Sequence, residues 1–232
     1  MKNLSFALDN GLTIKEYKLK ILTITNFHKK YLSNLKIDPD KIILYLNPIE
    51  LVQKESIDYK DQSNYVVYAG RLSKDKGIEE LIQSWKKADI ENLQLKIIGS
   101  GPLERELKSK YKNSDILFTG YLDNEDVKKE IKNARAVITA TKMFEGQPRL
   151  LCEASSLGVP SIYPSFGGMD EFFPDKYSFS FEQFNYADLI TKIENLNNKE
   201  ILINESYRVY SFISKKLNET KLISNFNKVA GA

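Results

Sequence analysis

From Tyr65 onward the sequence predicts an α/β fold, a parallel sheet with flanking helices. Three observations carry this. Short apolar runs alternate with amphipathic stretches in regular order, the runs are rich in Ile, Val, Tyr and Phe, and Gly70 and Gly99 follow the first two at once, as tight strand-to-helix turns require.

Strands are expected over residues 65–69, 93–98, 116–119, 136–140, 161–163 and 178–181, short and apolar as strands buried on both faces should be. Helices are expected between them, over 78–88, 103–112, 124–133, 148–157 and 186–196. Within 79–87, Leu81, Ile82 and Trp85 follow helical spacing and leave charge on the opposite face. Two more helices, 201–217 and 219–229, have no strand between them, so they are expected to lie across the sheet's edge or reach toward another domain. Residues 1–64 read differently: a strand over 20–25, a helix over 27–35, a strand over 42–46, then a polar linker through Asn64. That is too little to close a core of its own. The expected boundaries are therefore 1–64 and 65–232.

Composition narrows the function. With 42% hydrophobic and 28% charged residues, the chain matches an ordinary globular protein. A net charge of +3, with both signs scattered through the same segments, argues against a nucleic-acid partner. Membrane contact is expected to be at most peripheral, at the inner face, because there is neither a polybasic block nor an apolar stretch long enough to span. The lone Cys152 sits in an apolar run and fits a reducing, cytoplasmic setting.

Two segments carry chemistry. Gly70 to Gly77 follows the first strand of the domain and precedes a helix, which places Arg71 and Lys76 at the carboxyl end of the sheet beside free helix amides. Cations and amides together suit an anion, above all a phosphate; a solvated charged turn is the competing reading. In the second segment, Glu145 to Glu153, Pro148 suits the first turn of a helix, so Glu145 falls in the loop and Glu153 on the helix. Carboxylates accept hydrogen bonds from paired hydroxyls, as a sugar or ribose offers them. A ligand with a central diphosphate and hydroxyl-rich rings on both sides, a nucleotide-sugar, satisfies both segments together.

The order of these motifs resembles the C-terminal domain of the glycosyl transferases group 1, also called glycosyltransferase family 4, which has the GT-B fold with a Rossmann-like parallel sheet. The resemblance runs from Tyr65 to the end, through Gly70–Gly77, Ile98–Pro102, Gly120, the Glu145 and Glu153 pair with seven residues between, Gly158–Pro160, and Gly167, Gly168 and Glu171. It implies a retaining, metal-independent transferase using a UDP- or GDP-sugar, without a cofactor, and a glycan or lipid-linked acceptor in polysaccharide or surface glycan synthesis. It also implies that Arg71 and Lys76 hold the diphosphate, Glu145 contacts the transferred sugar and Glu153 the ribose, with Gly70, Gly99, Gly146, Gln147 and Leu150 completing the donor site. Arg71, Lys76 and Glu145 form the implied catalytic set. Loss of one such cation would raise the barrier by about 3 kcal/mol.

Gln147 and Pro148 stand where Phe and Gly are frequent in the family, which leaves fewer backbone amides for the donor. Arg149 reads as a surface residue or as a compensating cation. Residues 20–48 resemble the tail of the family's N-terminal domain, with Asn47 at its end, and the rest of that domain is expected to be missing or supplied by a partner chain. His28 reads as structural or solvated. Asp38 and Asp40 flank Pro39 in a turn, a connector in place of a metal pair. Gly99–Gly101 lacks the third glycine of a dinucleotide fingerprint, Glu104 taking that place, which argues against an oxidoreductase. The competing function is a noncatalytic nucleotide-sugar-binding module that works only with a partner chain.

Overall fold

The computed structural model describes residues 20–51, 64–112 and 114–230. Its first elements are β1 (Ile21–Thr23), α1 (Asn26–Asn34) and β2 (Ile42–Leu44). β1 and β2 pair in parallel, Ile21 opposite Ile42. Leu32, Ile37 and Ile42 form a small apolar cluster under α1, separate from the main core.

The main body contains β3 (Tyr65–Ala69), α2 (Ile78–Lys87), β4 (Gln94–Ile98), α3 (Glu104–Lys110), β5 (Ile116–Gly120) and α4 (Asn124–Lys132). It continues with β6 (Ala136–Ile138), α5 (Arg149–Ser156), β7 (Ser161–Ser165), β8 (Ser180–Glu182), α6 (Tyr186–Glu194), α7 (Lys199–Lys216) and α8 (Glu219–Ala230). Each element expected from the sequence is present, the strand over 65–69 with the expected ends and the others with ends shifted; the polar stretch 52–63, expected as a linker, lies outside the described residues.

All six strands of the body run parallel in the order β5-β4-β3-β6-β7-β8. The chain winds outward from β3 in one direction and then, after β5, returns to β6 and winds the other way. That reversal leaves a crevice between the carboxyl ends of β3 and β6, where ligands bind in sheets of this kind. Right-handed crossovers place α2 and α3 on one face and α4 and α5 on the other. Packing follows that division: α2 lies against α6, and α4 against α5. Val66, Val67, Leu95, Ile97, Val137 and Ile162 fill the sheet's interior, all fully buried, and Trp85 of α2 closes over it with its indole N–H on Asp115 at 2.7 Å.

One expectation is narrowed and one needs correction. α7 packs along α5 within the body, and its Glu205 accepts from Ser178 N at 3.1 Å on the segment leading into the edge strand β8. Pro148 is not inside the first turn of α5 but caps it at φ −80, ψ 87, so the helix starts at Arg149. The Pro148 carbonyl still accepts the first helical bond, from the Cys152 amide at 2.9 Å.

Candidate functional site

The turn after β3 is seated backbone to backbone on the turn after β4. Gly70 N donates to Ile98 O at 3.0 Å, Leu72 N to Ser100 O at 2.9 Å, and Leu103 N to Leu72 O at 3.0 Å. A side chain at Gly99 or Gly101 would collide with the backbone of Gly70 or Leu72, and Gly99 has φ +131. These glycines therefore allow two turns to touch, which accounts for them without a dinucleotide. Beneath them, the Tyr68 hydroxyl donates to Arg71 O at 2.9 Å; burial pushes its pKa up, so it stays a donor. Arg71 itself is exposed at the lip.

Past Arg71, a short turn over Lys74–Lys76 ends at Gly77, whose φ of +64 only glycine adopts freely. This turn meets the loop after β6 across the crevice. Lys142 N donates to Asp75 O at 2.9 Å, and Gly77 packs so closely on the Ala140 carbonyl that any side chain would clash. That contact draws Ala140 off the end of β6. Lys76 Nζ then lies 2.6 Å from Glu145 Oε1, each side chain about a third exposed. Cation and carboxylate were expected at separate parts of the ligand, and here they are paired. A pair this exposed contributes on the order of 1 kcal/mol or less, so an anion reaching the crevice could draw Lys76 away at little cost.

Two cavities open at this crevice and share Ala69, Gly70 and Leu150 as their common wall. The larger, about 540 Å³, holds Arg71 and Gly99 with apolar Ile98, Leu122 and Val127, and Tyr121 at its lip. The smaller, about 180 Å³, holds Lys76, Thr141, Glu145 and Arg149. Gly70, Arg71, Lys76, Gly99, Glu145 and Leu150 are thus brought together as the sequence suggests. A further cavity of about 630 Å³ opens on α7, lined by Tyr207, Phe212, Lys215 and Arg208. It lies away from the strand ends, and Arg208 there is already bound to Glu205 at 2.6 Å.

The other three residues expected at the donor site line neither cavity and lie among the chain's own groups. Gln147 exchanges two bonds with the Asn47 backbone, accepting from Asn47 N and donating to Asn47 O, both at 2.8 Å. Gly146 lies under the N-terminal segment, where an added Cβ would come within 2.7 Å of Ile24 Cδ1 and 2.8 Å of His28 Cε1. Glu153 lines neither cavity; its carboxylate accepts from Arg149 Nε at 2.9 Å, so the exposed Arg149 is the partner that this enclosed charge requires.

Sequence reasoning missed two participants. Tyr121, 77% exposed at the cavity lip, had no local signal beyond following Gly120. Glu171, quoted only as part of a motif, accepts bonds from Asn26 N and Phe27 N at 2.9 and 2.8 Å. A partner 145 residues away leaves no local pattern to read. Among the described residues, no group of three or more His, Cys, Asp and Glu side chains could hold a metal ion, and no helix is long and apolar enough to cross a membrane.

Known proteins share this architecture. The capsular polysaccharide biosynthesis glycosyltransferase CapM of Staphylococcus aureus is 32% identical over 147 residues, covering 60% of this chain and 38% of that protein. A GDP-mannose-dependent alpha-mannosyltransferase of Corynebacterium glutamicum is 31% identical over 115 residues, 50% of this chain and 26% of that protein. The chain thus spans well under half the length of these relatives. In fold, the Anabaena HepE structure in complex with UDP and glucose superposes with a TM-score of 0.77 at 12% identity, over 94% of this chain and 64% of that one. The family model described as glycosyl transferases group 1 matches residues 51–211, most of the chain and the whole crevice, and the chain belongs to that family.

Proposed function

We propose that this chain is the donor-binding part of a retaining, metal-independent glycosyltransferase that takes a nucleotide-diphosphate sugar and serves polysaccharide or surface glycan synthesis. The observation that carries the reading is the pair of joined cavities over the β3–β6 crevice, with Arg71 in one and Lys76 beside Glu145 in the other. The diphosphate spans their shared wall at Gly70, between the two cations. The sugar occupies the smaller cavity against Glu145, and the nucleoside occupies the larger, where the apolar lining suits a planar base. Residues 65–232 are the donor domain on this reading, and residues 1–64 close a domain that carries the glycan or lipid-linked acceptor. The relatives are consistent with it: CapM is named for capsular polysaccharide synthesis, one relative is GDP-mannose-dependent, and HepE was solved with UDP and glucose.

In this arrangement the chain's work is electrostatic. As the sugar–phosphate bond breaks, negative charge grows on the departing diphosphate, and cations already fixed at its oxygens lower the barrier without reorganising. Arg71 offers two parallel N–H donors and Lys76 a point charge. Glu145 faces the sugar, where its carboxylate accepts from hydroxyls and offsets developing positive charge.

Calorimetric titration with UDP, GDP and ADP tests the reading. At least one should bind wild type, and Arg71→Ala should bind it about ten-fold more weakly or worse, the cost of a charge-assisted hydrogen bond. Absence of binding to wild type, or equal binding by the variant, would remove the basis for the assignment. Supplying an acceptor-domain chain separates catalysis from capture, since binding without sugar transfer would identify a module that only holds the nucleotide-sugar.

A further inference from the structure

The short turn Met169–Phe172 touches both sides of the donor loop's support. At its start, Gly168 N donates to Glu145 O at 2.9 Å and so fixes the backbone that carries the sugar-facing carboxylate. Two residues into it, Glu171 reaches the other way: Oε2 accepts from Asn26 N and Asn26 Nδ2, both at 2.9 Å, and Oε1 accepts from Phe27 N at 2.8 Å. Thr25 Oγ1 takes the next amide, His28 N, at 3.1 Å. All three amides of the first turn of α1 are therefore satisfied, two of them by a carboxylate from the main body.

That clamp decides where α1 sits. With its N-terminus held, Ile24 and His28 cover Gly146 so closely that a Cβ there would push their side-chain ends aside, and Phe27 stacks on Phe144 with ring centroids 5.5 Å apart. Phe144 in turn stacks on Phe166 at 4.2 Å. Phe144, Glu145 and Gly146 are consecutive, so the loop is gripped on both sides of Glu145 by α1 and from behind by Gly168.

We propose that Glu171 is a positioning residue for the sugar half of the donor site: by clamping the N-terminus of α1 it closes Ile24, Phe27 and His28 over residues 144–146 and sets Glu145 against the transferred sugar. The inference rests on the donor reading above, but it makes a narrower claim. The turn after β3 seats Arg71 through the β4 turn and Tyr68, and Lys76 meets the clamped loop only through its exposed pair with Glu145, worth on the order of 1 kcal/mol or less. Loss of the clamp therefore affects recognition of the sugar and leaves recognition of the nucleoside diphosphate in place.

The experiment compares wild type with Glu171→Ala, Glu171→Asp and Glu171→Gln by calorimetry, using UDP and GDP beside UDP-glucose and GDP-mannose as probes, with amide exchange followed over residues 143–147. Glu171→Ala should keep nucleoside diphosphate affinity within about two-fold while binding the matching nucleotide-sugar about ten-fold more weakly. Exchange of the loop amides should rise even in ligand-free protein. Glu171→Gln, which can still accept but also presents an NH2 toward the helix amides, should fall between, and Glu171→Asp should recover part of the loss. Equal losses for both ligand classes, or unchanged exchange at 143–147, overturn the positioning role. If wild type binds no probe, the donor reading fails by itself, and the exchange measurement still decides whether the clamp orders the loop.

Discussion

At the scale of single residues, Lys76 and Glu145 partly cancel each other in the empty site, 2.6 Å apart. On the proposed reading a nucleoside diphosphate would compete with Glu145 for the same cation, whereas a nucleotide-sugar would bring a hydroxyl-bearing ring to occupy the displaced carboxylate. Glu145→Gln separates the two effects. It frees Lys76, so UDP or GDP should bind as tightly as to wild type or up to about three-fold more tightly, the scale of an exposed pair. The same variant should transfer sugar about a hundred-fold more slowly, because a preorganised charge beside the reacting carbon is lost. Titration and transfer assays on one protein sample check both halves. Weaker nucleoside diphosphate binding by the variant would mean that Glu145 orients Lys76 for the phosphate, contrary to this account. Much of this residue set was legible in advance: Arg71 lies two residues past β3, Lys76 and Glu145 lie in the loops that leave β3 and β6, and the carboxyl ends of those strands fix which side of the sheet such loops occupy. Gln147 was not, because an amide that bonds a distant backbone, here Asn47, looks in sequence like any loop polar residue.

At the scale of elements, apolar runs and periodicity found the strands and helices of the body because nearly all of them bury apolar residues in one shared core. They gave the seat of α7 only loosely, and the reason is specific. The buried face of α7 carries Glu205 and Ser206 among Leu202, Val209 and Ile213, so the sequence offers no clean apolar stripe to dock. One carboxylate oxygen of the pair is bonded from both sides: Glu205 Oε1 accepts from Ser178 N at 3.1 Å outside the helix and from Arg208 at 2.6 Å within it, while Oε2 is buried without a partner and Ser206 donates to the Gly158 carbonyl. Arg208 in turn also reaches Asp175 O. Glu205, with no exposed surface, thus ties α7 to the segment leading into β8. Glu205→Ala removes the acceptor and strands the Ser178 amide, which should lower stability by about 2 kcal/mol. Urea denaturation followed by circular dichroism measures it, and a loss under about 0.5 kcal/mol would show that water replaces the carboxylate without cost.

At the scale of the whole molecule, two apolar clusters of unequal size share one functional surface. The body's core surrounds Trp85, the chain's single tryptophan, while Leu32, Ile37 and Ile42 form the minor cluster beneath α1. The parts are joined largely through polar and ring contacts: Glu171 on α1, Gln147 on Asn47, and Phe27 on Phe144. Leu46 and Ile49 add partly buried apolar contacts to the main core, and a junction of this mixed kind can open while the body stays folded, because the body's own core does not depend on it. Leu32→Ala tests this, since Leu32 is 5% exposed and its truncation should cost roughly 2–3 kcal/mol, all of it within the minor cluster. Amide exchange over residues 21–46 should then quicken by about 30-fold or more, the factor that such an energy implies. The thermal midpoint reported by Trp85 fluorescence should stay within about 2 °C of wild type, since that core is untouched. On the proposed reading a saturating nucleotide-sugar should slow the exchange again, because it binds more tightly where α1 covers Gly146 and that difference in binding energy is added to closure. If Trp85 fluorescence and exchange at 21–46 moved together, the clusters would unfold as one unit, and the seat of α1 could not open independently of the donor domain beneath it.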